Sequence, residues 1–295
     1  MRCAGTAQDS QRARDAARSS EARDDASKES TMPFEKRVTL GRTGLSVSPL
    51  AVSGGYGVDA RALREAFDRG VNYWYHGSFR RPAMTQAVRE LVAEGKRDEL
   101  VLVLQSYTRW AWFLEKSIER GLRMCKTDRA DVLLLGWFNR APSERLMERV
   151  ERLRARGLFR YVAISSHERT LFAKLAADPR FDILHVRYNA AHSGAEQDVF
   201  PAMAEGPRPG VVAYTATSWG QLLDEKRMPA GERPLRASEC YRFVLTNPDF
   251  DLCMTGPADA AQMREALSAL EAGPLTSDEL ARARRIGAHV HATGR

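Results

Sequence analysis

From Val38 onward the chain switches repeatedly between two hydrophobic periods. Short apolar runs are each followed by a stretch in which apolar positions recur every three or four residues. The runs read as strands at Leu50–Ser53, Asn72–Tyr75, Leu100–Gln105, Asp131–Leu135, Tyr161–Ser165, Ile183–Val186, Val211–Tyr214 and Leu252–Met254. The stretches between them read as amphipathic helices. Asp59–Asp68 places Ala62, Leu63, Ala66 and Phe67 on one face, and Phe113–Met124 carries Leu114, Ile118 and Leu122 at helical spacing. Ser143–Arg156 carries Leu146, Val150 and Leu153, and Ser238–Leu245 and Ala260–Leu270 follow the same rule. Pro142, Ser143 and Asp259 stand where a first turn or an N-cap belongs. Gly194 and Glu196 open a further helical region.

The strands are apolar throughout rather than alternating, as expected of a parallel sheet covered on both faces. Eight such strands alternating with helices predict an α/β fold, a closed (β/α)8 TIM barrel. Before them, RVTLGRTGLSVSPLA alternates around Gly-Arg-Thr-Gly, the signal of a short N-terminal β-hairpin. An open doubly wound sheet is the alternative. It is disfavoured because Ser53-Gly54-Gly55-Tyr56-Gly57 lacks the G-x-G-x-x-G spacing that opens a helix after the first strand.

Residues 1–32 carry no aromatic residue and no period, and are rich in Ala, Ser, Arg and Asp. Such a segment buries too little apolar surface to offset the entropy of ordering and is expected to be a disordered tail. Residues 33–295 are then the barrel domain, and Met32 is an alternative start. The acids Asp9, Asp15, Glu21, Asp24, Asp25 and Glu29 argue against a transit peptide, and no apolar core marks a secretory signal. With no apolar run long enough to span a membrane, a cytoplasmic protein is expected.

The formal charge of +7 changes this picture little. The arginines are spread over helix faces, as in Arg145, Arg149, Arg152, Arg154 and Arg156, with no interleaved aromatics, so no nucleic-acid partner is expected. Cys3, Cys125, Cys240 and Cys253 form no C-x-x-C pair, which argues against a disulfide framework and a zinc site. His76, His167 and His185 end strands, but the first strand lacks the H-x-H of barrel metal-hydrolases, so no metal is expected. His289 and His291 receive no role.

In such a barrel the site lies at the C-terminal strand ends. Position alone nominates Ser53, Tyr75, His76, Gln105, Tyr107, Gly136, Trp137, Asn139, Ser165, Ser166, His167, His185, Tyr188, Asn189, Tyr214, Thr215 and Asp259. Tyr188 and Asn189 are read as fixing a loop. Trp110, Trp112 and Trp219 are placed to wall an apolar pocket.

The phrases LGRTGLSVSPLA at 40–51, GVNYWYHGS at 70–78, RDELVLVLQS at 97–106, RADVLLLGW at 129–137, GLFRYVAISS at 157–166, VRYNAA at 186–191, GVVAYTAT at 210–217 and TGPADAAQM at 255–263 fall in a telling order. In that order and spacing the chain resembles the aldo-keto reductases, from about Arg37 to Ile286. The resemblance implies a barrel opened by a hairpin, and carbonyl reduction by hydride from NADPH with an Asp, Tyr, Lys and His. It also implies where those groups should stand. The Asp position holds Tyr75, the Tyr position Arg80, the Lys position Gln105 and the His position Gly136. A phenol with an ordinary pKa near 10 needs a neighbouring cation to act as an acid near neutrality, and Gln105 supplies none.

The substitute expected from the sequence is Tyr75 as proton donor, tuned by Arg80 or His76, with Tyr107 second and aromatic packing as the plainer account. For a cofactor, Tyr214 and Thr215 match the family's nicotinamide-stacking stretch, and Ser165, Ser166 and His185 fall at its carboxamide contacts. Asp259 and Gln262 replace its phosphate grip, which leaves NADP or NAD open. Two functions follow: an NAD(P)-linked oxidoreductase acting on a carbonyl or alcohol of unknown identity with a non-standard site, or a pseudoenzyme that binds a dinucleotide, metabolite or protein partner. A different reaction on the same barrel is a third. The oligomeric state is not legible.

Overall fold

Val38–Thr39 (β1) and Ser46–Val47 (β2) pair antiparallel, and the barrel follows. The computed structural model describes residues 33–77, 80–203 and 206–294; the expected tail lies outside the described residues. The barrel strands are β3 (Leu50–Ser53), β4 (Tyr73–His76), β5 (Val101–Ser106), β6 (Val132–Leu135), β7 (Tyr161–Ser166), β8 (Ile183–Arg187), β9 (Gly210–Tyr214) and β10 (Leu252–Thr255). They are parallel and in chain order, and β10 closes on β3 with Cys253 opposite Leu50. Each expected strand is present, shifted at its ends by at most a residue or so.

The expected helices are there too: α1 (Ala60–Asp68), α3 (Ala111–Cys125), α4 (Glu144–Ala155), α7 (Ala237–Thr246) and α8 (Ala260–Ala272). Asp59, Ser143 and Asp259 cap three of them through side-chain oxygens that accept from Ala62, Leu146 and Gln262 N–H groups. Three further helices complete the outer layer: α2 (Pro82–Ala93), α5 (Leu171–Ala177) and the C-terminal α9 (Ser277–Thr293). The region opened by Gly194 yields only one turn, α6 (Ala195–Asp198). His291, in α9, sets its ring edge-on to His192, with 5.3 Å between ring centroids.

Two apolar layers result. The larger lies between barrel and helices and includes Trp74, Leu104, Ile164 and Phe172. The smaller fills the barrel itself, with Ala51, Tyr73, Val103, Leu134, Ile183 and Val212 stacked inside. Leu40, from the hairpin, plugs the bottom of this inner layer. The fit is close: a Cβ on Gly210 would run into the Leu40 side chain, so β9 must begin with glycine where the plug enters. Arg42 and Thr43 fasten the hairpin, Arg42 N–H donating to Arg208 O at 2.8 Å and Thr43 O accepting from the Tyr161 hydroxyl at 2.7 Å.

At the same end a polar device repeats on alternate strands. The residue just before β6, β8 and β10 is an aspartate, and before β4 an asparagine. Each accepts an N–H from the neighbouring strand or its lead-in: Asp131 from Leu102 at 2.9 Å, Asp182 from Val162 at 2.8 Å, Asp251 from Val211 at 2.8 Å and Asn72 from Ser48 at 3.1 Å. Each aspartate also meets an arginine: Arg97 at 2.9 Å, Arg154 at 3.2 Å and Arg208 at 2.9 Å. The Arg97–Asp131 pair is the most enclosed, with side chains 11% and 9% exposed. Removing one partner of such a pair leaves the other charge uncompensated, which costs about 3 kcal/mol. Asp131→Ala is therefore expected to lose about 3 kcal/mol in urea unfolding, and adding Arg97→Met should recover a large part of that loss. Equal loss in the single and double variants would show that the pair does not act as a unit.

Candidate functional site

Above the inner layer, at the C-terminal strand ends, the barrel opens into a cavity of about 760 Å³. Tyr75, Gln105, Ser165, His185, Tyr214, Thr215 and Gln262 line it. His76, Ser166, Asp259 and Arg80 do not. A strand turns successive side chains to opposite faces, so His76 and Ser166, each one residue beyond a lining residue, face outward. His76 Nε2 is hydrogen-bonded to Thr85 Oγ1 of α2 at 2.8 Å, and Ser166 Oγ accepts from Glu168 N–H at 2.9 Å in a local turn. Asp259 caps α8, and Arg80 is exposed. Asn189 Nδ2 donates to Thr215 O at 2.8 Å and the Tyr188 hydroxyl donates to Glu196 Oε1 at 2.6 Å, so both fix loops.

The expected tuning of Tyr75 has the opposite sign here. Burial pushes its phenol well above the ordinary value, and the neighbouring Tyr107 and Tyr56 phenols push the same way. Neither His76 nor Arg80 enters that balance. His185 is fully enclosed inside the barrel, its Nε2 hydrogen-bonded to the Tyr73 hydroxyl at 3.0 Å. Burial lowers its pKa to about 3, so it is a neutral ring. His167 is lowered too, by burial first and then by Arg187. Tyr214 holds its ring by donating its hydroxyl to Ser166 O at 3.1 Å, and burial raises its pKa to about 12. Among the described residues no three His, Cys, Asp or Glu side chains converge as a metal site would require.

The Lys and His positions of the resemblance prove to be physically coupled. The Gln105 amide lies over Gly136, in the space that a side chain at 136 would take, and Tyr107 closes the same space from the side. A side chain at 136 would require the Gln105 amide to move from where it lies. Gln105 Oε1 is buried and has no hydrogen-bond partner.

The loops that carry the mouth are held tightly. Arg109 lies over the Phe138 ring at 3.6 Å and donates to Tyr107 O at 2.8 Å, to Gly136 O at 3.2 Å and to Trp137 O. Trp137 N–H in turn donates to Ser165 Oγ at 2.9 Å. Trp137, Thr215, Ser218 and Trp219 all adopt positive φ, between 51° and 65°, a backbone region uncommon for such residues and concentrated here at the cavity. Trp219 and Trp137 line the cavity and remain more than half exposed, so Trp219 does wall the pocket, whereas Trp110 and Trp112 are not among its lining. Sequence reasoning missed Tyr56, Tyr241 and Glu265, which loops and outer helices bring in. The signal for Glu265 was its helical spacing from Gln262, three residues before it on the same face of α8.

A family model for the Aldo/keto reductase family matches residues 58–240. The chain belongs to that family. Among solved structures, a Bacillus halodurans aldo-keto reductase in its holo form is similar at 20% identity, covering 85% of this chain and 96% of that one, with a TM-score of 0.69. Its apo form gives 20% identity, 85% and 95% coverage and a TM-score of 0.67. At that identity the likeness is one of fold. No curated protein matches the chain. As an aldo/keto reductase barrel it thus has the family's architecture, with Tyr75, Gln105 and Gly136 brought together at the cavity and Arg80 outside its lining.

A dinucleotide, the group that this family implies, can be tested against the lining. Tyr214 offers a ring face. The phosphates find no match: among the described residues no lysine or arginine lines the cavity, and Glu265 does. At the start of α8, Ala258 N–H already donates to Gln262 Oε1 at 2.9 Å and Gln262 N–H to Asp259 Oδ1 at 2.8 Å. A helix start holds phosphate through free amides, and the Asp259 carboxylate beside these works against it. These residues do not fit the group.

Two measurements follow from this geometry. Gly136→His should be less stable than the same change combined with Gln105→Ala, by about 1 kcal/mol, because overpacking is relieved when the amide leaves. Equal stabilities would mean that Gln105 moves aside freely. The second concerns pH. Burial holds His185 at about 3 and His76 at about 4, below the ordinary 6.5, while the unfolded chain titrates normally. The unfolded state therefore binds more protons below 6.5, and stability is complete above that pH and lost as pH falls toward 4 and 3. Each ring contributes roughly 1.4 kcal/mol per pH unit. His192, only half-buried, is also lowered to about 4 and adds a smaller share. Urea unfolding near pH 5 should show about 4 to 6 kcal/mol less stability than near pH 7, and His185→Gln should remove about a third to a half of that dependence. An unchanged dependence in His185→Gln would count against a neutral buried ring.

Proposed function

We propose that this barrel is a ligand-binding member of the aldo/keto reductase family that has lost the family's acid–base chemistry. It holds a small organic molecule at the barrel mouth without reducing it. One observation carries the reading: the Gln105 amide fills the room over Gly136, so the positions that should hold a cation and an imidazole hold a neutral amide and no side chain. With no cation beside it and burial raising its pKa, Tyr75 keeps its proton and serves as a hydrogen-bond donor to whatever enters. Gln105, Ser165 and Tyr107 add further neutral hydrogen-bonding groups around it. The aromatic rings supply the apolar area, as expected of a small-molecule pocket.

Carbonyl reduction with Tyr75 as proton donor is the second reading, favoured by the approach of its hydroxyl to the cavity beside Tyr107. It stands second because it needs a hydride source, and among the described residues no lysine or arginine lines the cavity to hold a dinucleotide's phosphates.

Titration of the full chain with NADPH and NADH, followed by tryptophan fluorescence, separates the two. Trp137 and Trp219 line the cavity and report its occupancy. The expected result is no saturable binding below about millimolar concentration, equivalent to less than roughly 4 kcal/mol. Micromolar binding of either nucleotide would overturn the proposal and restore the reductase reading.

A further inference from the structure

The chain carries 45 Lys and Arg residues and a formal charge of +7, yet among the described residues no Lys or Arg lines the cavity. Among the described residues its one carboxylate side chain is Glu265. It forms no ion pair among the described residues, and its contact is a long one, Ser238 N–H at 3.4 Å from Oε1. Burial lowers both histidines in the lining, and Arg187, which lies outside the lining, lowers His167 further and acts on Tyr214 too. The walls are tyrosine and tryptophan rings, among them Tyr56, Tyr107, Trp137, Tyr214, Trp219 and Tyr241. Ring faces carry negative potential and attract cations, tryptophan most strongly. Gln105 Oε1 adds a buried acceptor with no donor.

Aromatic walls, a carboxylate without a cation and an unfilled acceptor share one electrostatic sign. We propose that the cavity takes an organic cation, an ammonium group carried on an aromatic or apolar body, and excludes anions. This rests on the reading of the barrel as a ligand-binding protein and names the class of ligand. The aromatic body displaces water from the Trp137 and Trp219 faces. The ammonium N–H groups satisfy Gln105 Oε1 or pair with Glu265, and an anion of the same shape meets Glu265 and the ring faces with repulsion.

Three probes that share a phenethyl body test it by isothermal titration calorimetry at neutral pH: phenethylammonium, 2-phenylethanol and 3-phenylpropanoate. The ammonium is expected to bind at least about tenfold more tightly than the alcohol, and the carboxylate more weakly than either. Glu265→Gln should weaken the ammonium about five- to tenfold and leave the alcohol unchanged. Trp219→Ala, at an exposed position, should weaken both the ammonium and the alcohol. Equal binding of ammonium and alcohol would overturn the charge selection while leaving a ligand-binding barrel. Carboxylate binding as tight as that of the ammonium, or a Glu265→Gln protein with unaltered ammonium affinity, would also overturn it. If none of the probes binds and NADPH does, the ligand-binding reading itself fails, and this inference with it.

Discussion

Closure of the barrel depends on what happens to backbone N–H groups at its lower rim, where strands begin and no helix covers them. Asn72, Asp131, Asp182 and Asp251 answer this on every second strand, each accepting an amide proton from the strand or lead-in beside it. The side chain sets the stagger between neighbouring strands at the point where they enter the sheet. A closed barrel needs one consistent stagger around its circumference, so an interaction that fixes it strand by strand bears on every side chain's direction above. Burying carboxylates is unfavourable alone, and Arg97, Arg154 and Arg208 neutralise them.

That lower rim explains why the upper rim can be unusual. With the frame fixed below, the mouth tolerates positive φ at Trp137, Thr215, Ser218 and Trp219, and Arg109 ties the loops after β5 and β6 into one unit. The replacements at the family's catalytic positions are then a set rather than separate losses. Gln105 leans into space that only glycine at 136 leaves open, and Tyr107 packs against the same spot. A side chain introduced at 136 alone meets the Gln105 amide and the Tyr107 ring.

The strands were legible because burial on both faces leaves apolar runs with sharp polar ends, and the caps at Asp59, Ser143 and Asp259 because a helix start needs an acceptor. Pro82–Ala93 and Ser277–Thr293 were passed over although each buries a stripe at helical spacing, Met84, Ala87, Val88 and Leu91 in one and Ala283, Ile286, Gly287 and Val290 in the other. At the site, strand ends gave Tyr75, Gln105, Ser165, His185 and Tyr214 together. The period of two then separates these from His76 and Ser166, a distinction that needs the strand's phase and not only its position. Tyr56, Tyr241 and Glu265 stayed hidden because loop and helix geometry, not sequence order, brings them to the cavity. The direction of the Tyr75 shift was likewise a matter of three-dimensional enclosure.

The Leu40 plug sets an order of events in the making of the molecule. Leu40 leaves the ribosome near the start of the chain, but its seat includes Gly210 at the head of β9, most of the chain length later. Until that strand is synthesised, the hairpin's apolar face has nowhere to go, and a contact of such long range is slow to form even then. The hairpin is thus a late-closing stopper rather than a nucleus.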